Sequence, residues 1–195
     1  MKKKAHHFFA MLARMKYINR WGLMRNTSAE NIQEHSLQVA MIAHALAIIH
    51  NKVFGGNVDA DKIAVIGIFH DANEILTGDL PTPIKYYNPE IKKAYKDVET
   101  VSKTKLLSML PEEMQEVYQG LLFAEEAGEA YRFVKAADKL AAYIKCLEEK
   151  KAGNTEFVVA EKATRNAVDE MRMPEADYFL EHFIEGFLLS LDELQ

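Results

Sequence analysis

The sequence predicts an all-α fold, and three observations predict it. Apolar residues recur at helical spacing through most of the chain, and no stretch of useful length alternates every second residue. The breaks between these stretches carry helix punctuation: Gly55-Gly56-Asn57, Gly78 with Pro81 and Pro83, Asn88-Pro89, Leu110-Pro111 and Gly153-Asn154. The 195 residues, 49% of them hydrophobic, suit one core, so residues 1–195 are expected to form a single domain.

Composition removes several classes of function. A net charge of −5 disfavours a surface built for nucleic-acid polymers, though not a local basic pocket for a small anion. No apolar run reaches the roughly 18 residues of a membrane span. The basic start, Met1-Lys2-Lys3-Lys4, leads into no long apolar stretch and makes a poor signal peptide, so a cytoplasmic protein is expected. Asn26-Thr27-Ser28 fits a glycosylation sequon, read as chance without secretion. The lone Cys146 allows no intrachain disulfide and no thiolate metal cluster; it reads as a buried structural thiol.

The elements follow in order. His7 to Ile18 carries apolar residues at 8, 11, 12, 15 and 18, a helical stripe that breaks at Asn19-Arg20-Trp21-Gly22. Trp21 is the only tryptophan. An arginine beside an aromatic at a helix end can grip a phosphate and wall a sugar or base. Thr27-Ser28-Ala29-Glu30 reads as a capping box opening a helix that runs to about Lys52. Ile32, His35, Val39, Ile42, Leu46 and Ile49 share one line of it, which turns His35 inward. Asp59 is placed to cap the next helix. There Ile63, Ile66 and His70 follow i, i+3, i+7 spacing, and Asp71 stands about 100° further round. Burying that pair alone would be costly, and a divalent cation would offset both desolvations.

Glu74, four residues after His70, is expected on the same helix face one turn on. Gly78 ends that helix and opens a proline-stiffened loop that should hang over the His70–Asp71 pair. Asn88-Pro89-Glu90 starts an exposed helix to about Met109. Leu110-Pro111-Glu112 opens another, ending near Ala124. A long helix spans Glu129 to Lys151, with Phe133, Ala137, Leu140, Ile144 and Leu147 on its apolar line and Asp138 beside it among small residues. Helices at about 156–172 and 175–191 close the chain.

Three helices thus each offer inward metal-ligand atoms: His35, then His70 with Asp71, then Asp138. Two imidazoles and two carboxylates make a nitrogen–oxygen site, suited to Co²⁺, Mn²⁺, Zn²⁺ or similar ions. Four protein ligands leave about two positions of an octahedral ion for water and a substrate oxygen. Two carboxylates neutralise a divalent ion, so Arg20 and Lys85 would supply the attraction for phosphate. Glu74 is a natural general base or orienter for the attacking water. No histidine separates His70 from Asp138, which argues for one divalent metal ion per chain.

Glu34-His35-Ser36, His70-Asp71 and Asp138 after two alanines resemble the His…His-Asp…Asp signature of HD-domain phosphohydrolases. Ile18-Asn19-Arg20-Trp21, Leu23-Met24-Arg25-Asn26, Glu34 to Ala40, Leu76-Thr77-Gly78-Asp79-Leu80-Pro81-Thr82-Pro83 and Tyr143 to Glu149 are similar to the narrower family of bacterial 5′-deoxynucleotidases of the YfbR type. Asn73 departs from the serine of that pattern, a difference that affects no metal ligand. The resemblance implies a single-domain HD-domain helical bundle and a cytoplasmic homodimer. It implies metal-dependent removal of phosphate from deoxyribonucleoside 5′-monophosphates. It assigns His35, His70, Asp71 and Asp138 to the metal, Arg20 to orienting the phosphate, Trp21 to the sugar and Glu74 to the water's proton. It places Asp79, Thr82, Pro83, Ile84 and Lys85 along the substrate pocket. Two alternatives stay open: another HD-type enzyme, a phosphodiesterase or triphosphohydrolase, and a non-enzymatic helical module with a structural metal.

Overall fold

A computed structural model describes residues 5–81, 88–126 and 128–195. Among them the only β pairing is an isolated bridge between Asn19 and Asn31, so the architecture is all-α. In chain order the helices are α1 (Phe8–Leu12), α2 (Ile32–Lys52), α3 (Ala60–Phe69), α4 (Glu74–Thr77), α5 (Pro89–Leu107), α6 (Glu112–Leu122), α7 (Glu129–Lys151), α8 (Val158–Asp169) and α9 (Pro174–Phe183). Short 3₁₀ turns lie at Met15–Tyr17, Ala124–Glu126, Thr155–Phe157, Ile184–Leu188 and Leu191–Leu194.

α7 is the axis of the molecule. It buries Phe133, Ala137, Leu140, Ile144 and Leu147 on its predicted line and Val134, Ala136, Ala141 and Cys146 beside it. Small residues let neighbours approach, and α2, α3 and α8 all pack against α7. α2 contributes Ile32, Val39, Ile42, Leu46 and Ile49 to the same core, each buried. Burying a side chain of this size contributes about 1.5–3 kcal/mol. A second cluster, Phe8, Ala72, Leu106, Leu110 and Leu122, ties α1, α5 and α6 to the end of α3.

Several ends agree with the sequence reading. Asp59 Oδ1 accepts from Lys62 N and starts α3; Asn88 caps α5 with Pro89 in its first turn; Gly153, at φ 82°, follows the end of α7. Other elements are shorter than their periodicity suggests. The expected helix at 7–18 is α1 plus a 3₁₀ turn, and the closing helices give way to 3₁₀ turns at both ends of the 156–191 region.

The expected capping box at Thr27 is not the start of α2. Asn31 caps that helix, accepting from Gln33 N and Glu34 N, with Glu34 completing the box. Thr27 and Ser28 bind the buried Glu149 instead. α3 also ends before His70. The bonds Ala72 N to Phe69 O and Glu74 N to Asp71 O each span three residues, so a tight turn replaces the helix and Glu74 opens α4 rather than following His70 on one face.

Candidate functional site

His35 comes from the first turns of α2, where it is fully buried between Ile32 and Val39. His70 and Asp71 come from the turn after α3, and Asp138 from the middle of α7. These residues meet in space. His35 Nε2 lies 3.1 Å from Asp138 Oδ1 and 3.6 Å from Asp71 Oδ2, and the two imidazole centroids are 5.3 Å apart. One ligand atom from each of His35, His70 and Asp138 falls within 4.8 Å of the others. Asp71 flanks this trio, with Oδ2 3.0 Å from His70 Nε2.

The donor set fits a cation. His70 Nδ1 donates to Gly67 O at 2.7 Å, so the lone pair of the neutral ring sits on Nε2. That buried Nε2 makes no hydrogen bond, yet it faces the Asp71 carboxylate. Two electron-rich atoms so close call for a positive charge between or beside them. Burial alone would lower the His70 pKa, but the carboxylates of Asp71 and Asp138 outweigh it and raise the value. Burial would lift Asp71 likewise; His70, His35 and Arg20 hold it well below the usual carboxylate range instead. Asp138 is lowered against its own burial by His35 and His70. His35 is pushed down by burial and by Arg20, which favours its neutral form.

Arg20 closes one side of the cluster. Its Nη1 lies 2.8 Å from Glu30 Oε2 and 2.9 Å from His35 Nδ1. A guanidinium only donates, so His35 Nδ1 accepts and Nε2–H points to Asp138. To ligate through Nε2, His35 takes the other neutral tautomer, with its proton on Nδ1, and the hydrogen bond from Arg20 to Nδ1 is then given up. Burial would lower the Arg20 pKa, but Glu30, Asp138, Asp71 and Asp79 together raise it, which also sets Asp79 within electrostatic reach of the guanidinium. Trp21 stacks near the same guanidinium, 5.7 Å from the Arg20 carbon to the ring centroid. Glu74 is buried, and its backbone nitrogen is tied to the Asp71 carbonyl. Thr82, Pro83, Ile84 and Lys85 lie outside the described residues.

Two residues escaped the sequence reading. Glu30, read as part of a capping box, turns its carboxylate to Arg20 and Trp21. Tyr131, in the first turn of α7, has its pKa raised by burial and then by Glu125, Asp71 and Asp138, so it feels the charge of the cluster. No local pattern marks either one.

The comparisons with known proteins bear on the family and the fold. The chain matches the YfbR-like 5′-deoxynucleotidase family over residues 7–187. A 5′-deoxynucleotidase of Vibrio vulnificus is 56% identical over 189 residues, covering 96% of this chain and 97% of that protein. An HD-domain phosphohydrolase from Listeria innocua superposes with a TM-score of 0.81 at 23% identity, covering 95% of this chain and 90% of the other. The HD phosphohydrolase DatZ of cyanophage S-2L, solved with dA and one catalytic Zn²⁺ ion, superposes with a TM-score of 0.64 at 21% identity, covering 91% and 96%. A signature first seen as scattered histidines and aspartates is thus a converged cluster in an HD-type fold, and the chain belongs to the YfbR-like 5′-deoxynucleotidase family.

Proposed function

We propose that this protein is a metal-dependent 5′-deoxynucleotidase, which hydrolyses deoxyribonucleoside 5′-monophosphates to a deoxynucleoside and phosphate. The observation that carries it is the convergence of His35, His70, Asp71 and Asp138 with Arg20 against them, 2.9 Å from His35. His35, His70, Asp71 and Asp138 would hold one divalent ion per chain. Such an ion supplies Lewis-acid stabilisation of phosphate charge and lowers the pKa of a water at the site.

The chain's own residues do the rest. Arg20 gives charge-assisted hydrogen bonds to the phosphate and offsets charge as it builds. Glu74 takes the proton of the attacking water. The water oxygen bonds to phosphorus as the bond to the 5′-oxygen breaks, and the departing oxygen gains a proton. Trp21 packs on the sugar face and leaves no room for a 2′-hydroxyl, while Asp79 contributes to the pocket. A cytoplasmic homodimer of one-domain chains fits the family and the absence, among the described residues, of a helix long and apolar enough to cross a membrane.

The test is release of orthophosphate from a panel of nucleoside and deoxynucleoside monophosphates with Co²⁺, Mn²⁺ or Mg²⁺, and again after chelation. Metal-dependent turnover with the deoxy series preferred is expected. Asp71→Ala should lose most of that turnover along with its metal. Release of pyrophosphate or triphosphate from longer substrates, or no hydrolysis at all, would overturn the reading.

A further inference from the structure

We propose that Glu30 is a positioning residue that sets Arg20 and Trp21 as one unit, so that a single carboxylate governs both phosphate capture and sugar choice. The proposal rests on the deoxynucleotidase reading above for its substrate. Its structural basis is a shared acceptor. Glu30 Oε2 receives Arg20 Nη1 at 2.8 Å and Trp21 Nε1 at 3.0 Å. The side chain is only 11% exposed, so solvent competes little for these bonds.

The backbone reinforces the arrangement. Arg20 N donates to Glu30 O at 2.9 Å, Ile32 N donates to Ile18 O at 2.9 Å, and Asn19 and Asn31 form the β-bridge. The two arms of this loop are therefore pinned at the Arg20–Glu30 contact and immediately beside it. Trp21 itself adopts φ 57°, a left-handed conformation that a bulky residue rarely takes unless its surroundings impose it. Asn26 Nδ2 and Met24 N both donate to its carbonyl, and the Phe157 ring packs 5.4 Å from the indole. Of the contacts on the Trp21 side chain, the Glu30 bond is the polar one that fixes which edge of the indole faces Arg20. An oxygen shared by two donors also couples them. A phosphate that draws Arg20 away frees part of that acceptor for Trp21, so anion capture tightens the wall that meets the sugar.

The coupling can be read without turnover, because Trp21 is the only tryptophan and its emission reports its own surroundings. Two variants separate the roles. Glu30→Gln keeps an oxygen for the indole and removes the charge that holds Arg20. Glu30→Ala removes both. Neither should stop α2 from forming, since Asn31 supplies the cap. In Glu30→Ala, red-shifted emission in the substrate-free protein is expected, with KM for a deoxynucleoside monophosphate raised about tenfold and the deoxy-to-ribo ratio of kcat/KM falling toward one. In Glu30→Gln, KM should rise while emission and the sugar ratio stay near wild type. Metal content should hold in both variants. Wild-type emission, KM and sugar ratio in Glu30→Ala would overturn the proposal. So would Glu30→Gln losing sugar discrimination as fully as Glu30→Ala. A wild-type protein inert toward every nucleoside monophosphate would defeat the functional reading instead, and emission in the free protein would still decide whether Glu30 holds Trp21.

Discussion

Glu149 shows what a well-partnered buried charge does for this molecule. Its carboxylate accepts from Thr27 N at 2.8 Å, Thr27 Oγ1 at 2.7 Å, Ser28 N at 3.1 Å and Asn154 Nδ2 at 2.7 Å, and pairs with the buried Lys145. Lys145 donates in turn to the Ser28 carbonyl. The network fastens the loop carrying Arg20, Trp21 and Glu30 to α7. Burial would raise the Glu149 pKa, but the bonds from Lys145, Asn154 and Thr27 outweigh it and hold the value well below the usual range. A carboxyl whose folded pKa is depressed adds stability above its unfolded value of about 4.3 and loses it as pH falls toward the folded one. Thermal unfolding of Glu149→Gln should therefore depend less on pH than wild type below about pH 4. Glu149→Ala should cost about 3 kcal/mol or more, because Lys145 is left buried without its counter-ion. Trp21→Ala has another signature: ribonucleotide turnover should approach deoxyribonucleotide turnover, and an unchanged ratio would remove Trp21 from sugar selection. His35, His70 and Asp138 were legible in the sequence because each sits on or beside an apolar helical line. Glu30 and Glu149 were not, since their partners lie across loops or more than a hundred residues away, and Thr27-Ser28-Ala29-Glu30 offered a satisfying local explanation that tertiary bonds displaced.

Between elements, the contact that brings His35 to His70 is the crossing of α2 and α3. Gly67 makes it possible: a Cβ there would meet Ala40 Cα at 2.8 Å and Ala40 N at 3.1 Å. Both atoms are backbone, so the helices themselves would have to part. Gly67→Ala should destabilise by about 1–3 kcal/mol. It should also weaken metal binding, because the Gly67 carbonyl is the acceptor that orients His70. Calorimetric titration with Co²⁺ alongside thermal unfolding checks both; a stable variant with wild-type affinity would show that the crossing has slack. Helix identities were legible from periodicity and caps, and α7 spans the residues that its pattern gives. Ends were less so. The apolar spacing through Ile63, Ile66 and His70 is compatible with a continuing helix, and nothing local announces the turn at His70–Asn73 that sends Glu74 into α4.

Across the whole molecule, an apolar hollow of about 620 Å³ lies between α1, the start of α2 and the end of α3, lined by Phe9, Leu12, Met15, Leu37, Ile68 and Phe69 among others. Phe9, Leu37 and Ile68 are more than a third exposed there, and Met41 and Val65 are exposed one turn along the same two helices. The proposed homodimer would cover such a face, and sedimentation should then give twice the mass of the chain, falling to one with Leu37→Glu. No sequence pattern located this face, because exposure is a property of how helices assemble. The His35, His70, Asp71 and Asp138 group, in contrast, was legible as a set of candidate ligands, and what the sequence lacked was their distances. The site is tested most directly by the metal content of wild type and of His35→Ala, His70→Ala and Asp138→Ala after equilibrium dialysis against Co²⁺, with far-UV circular dichroism to confirm folding. One firmly held ion per wild-type chain is expected, with loss of that ion in each folded variant. Two firmly held ions in wild type, or variants that keep theirs, would contradict it.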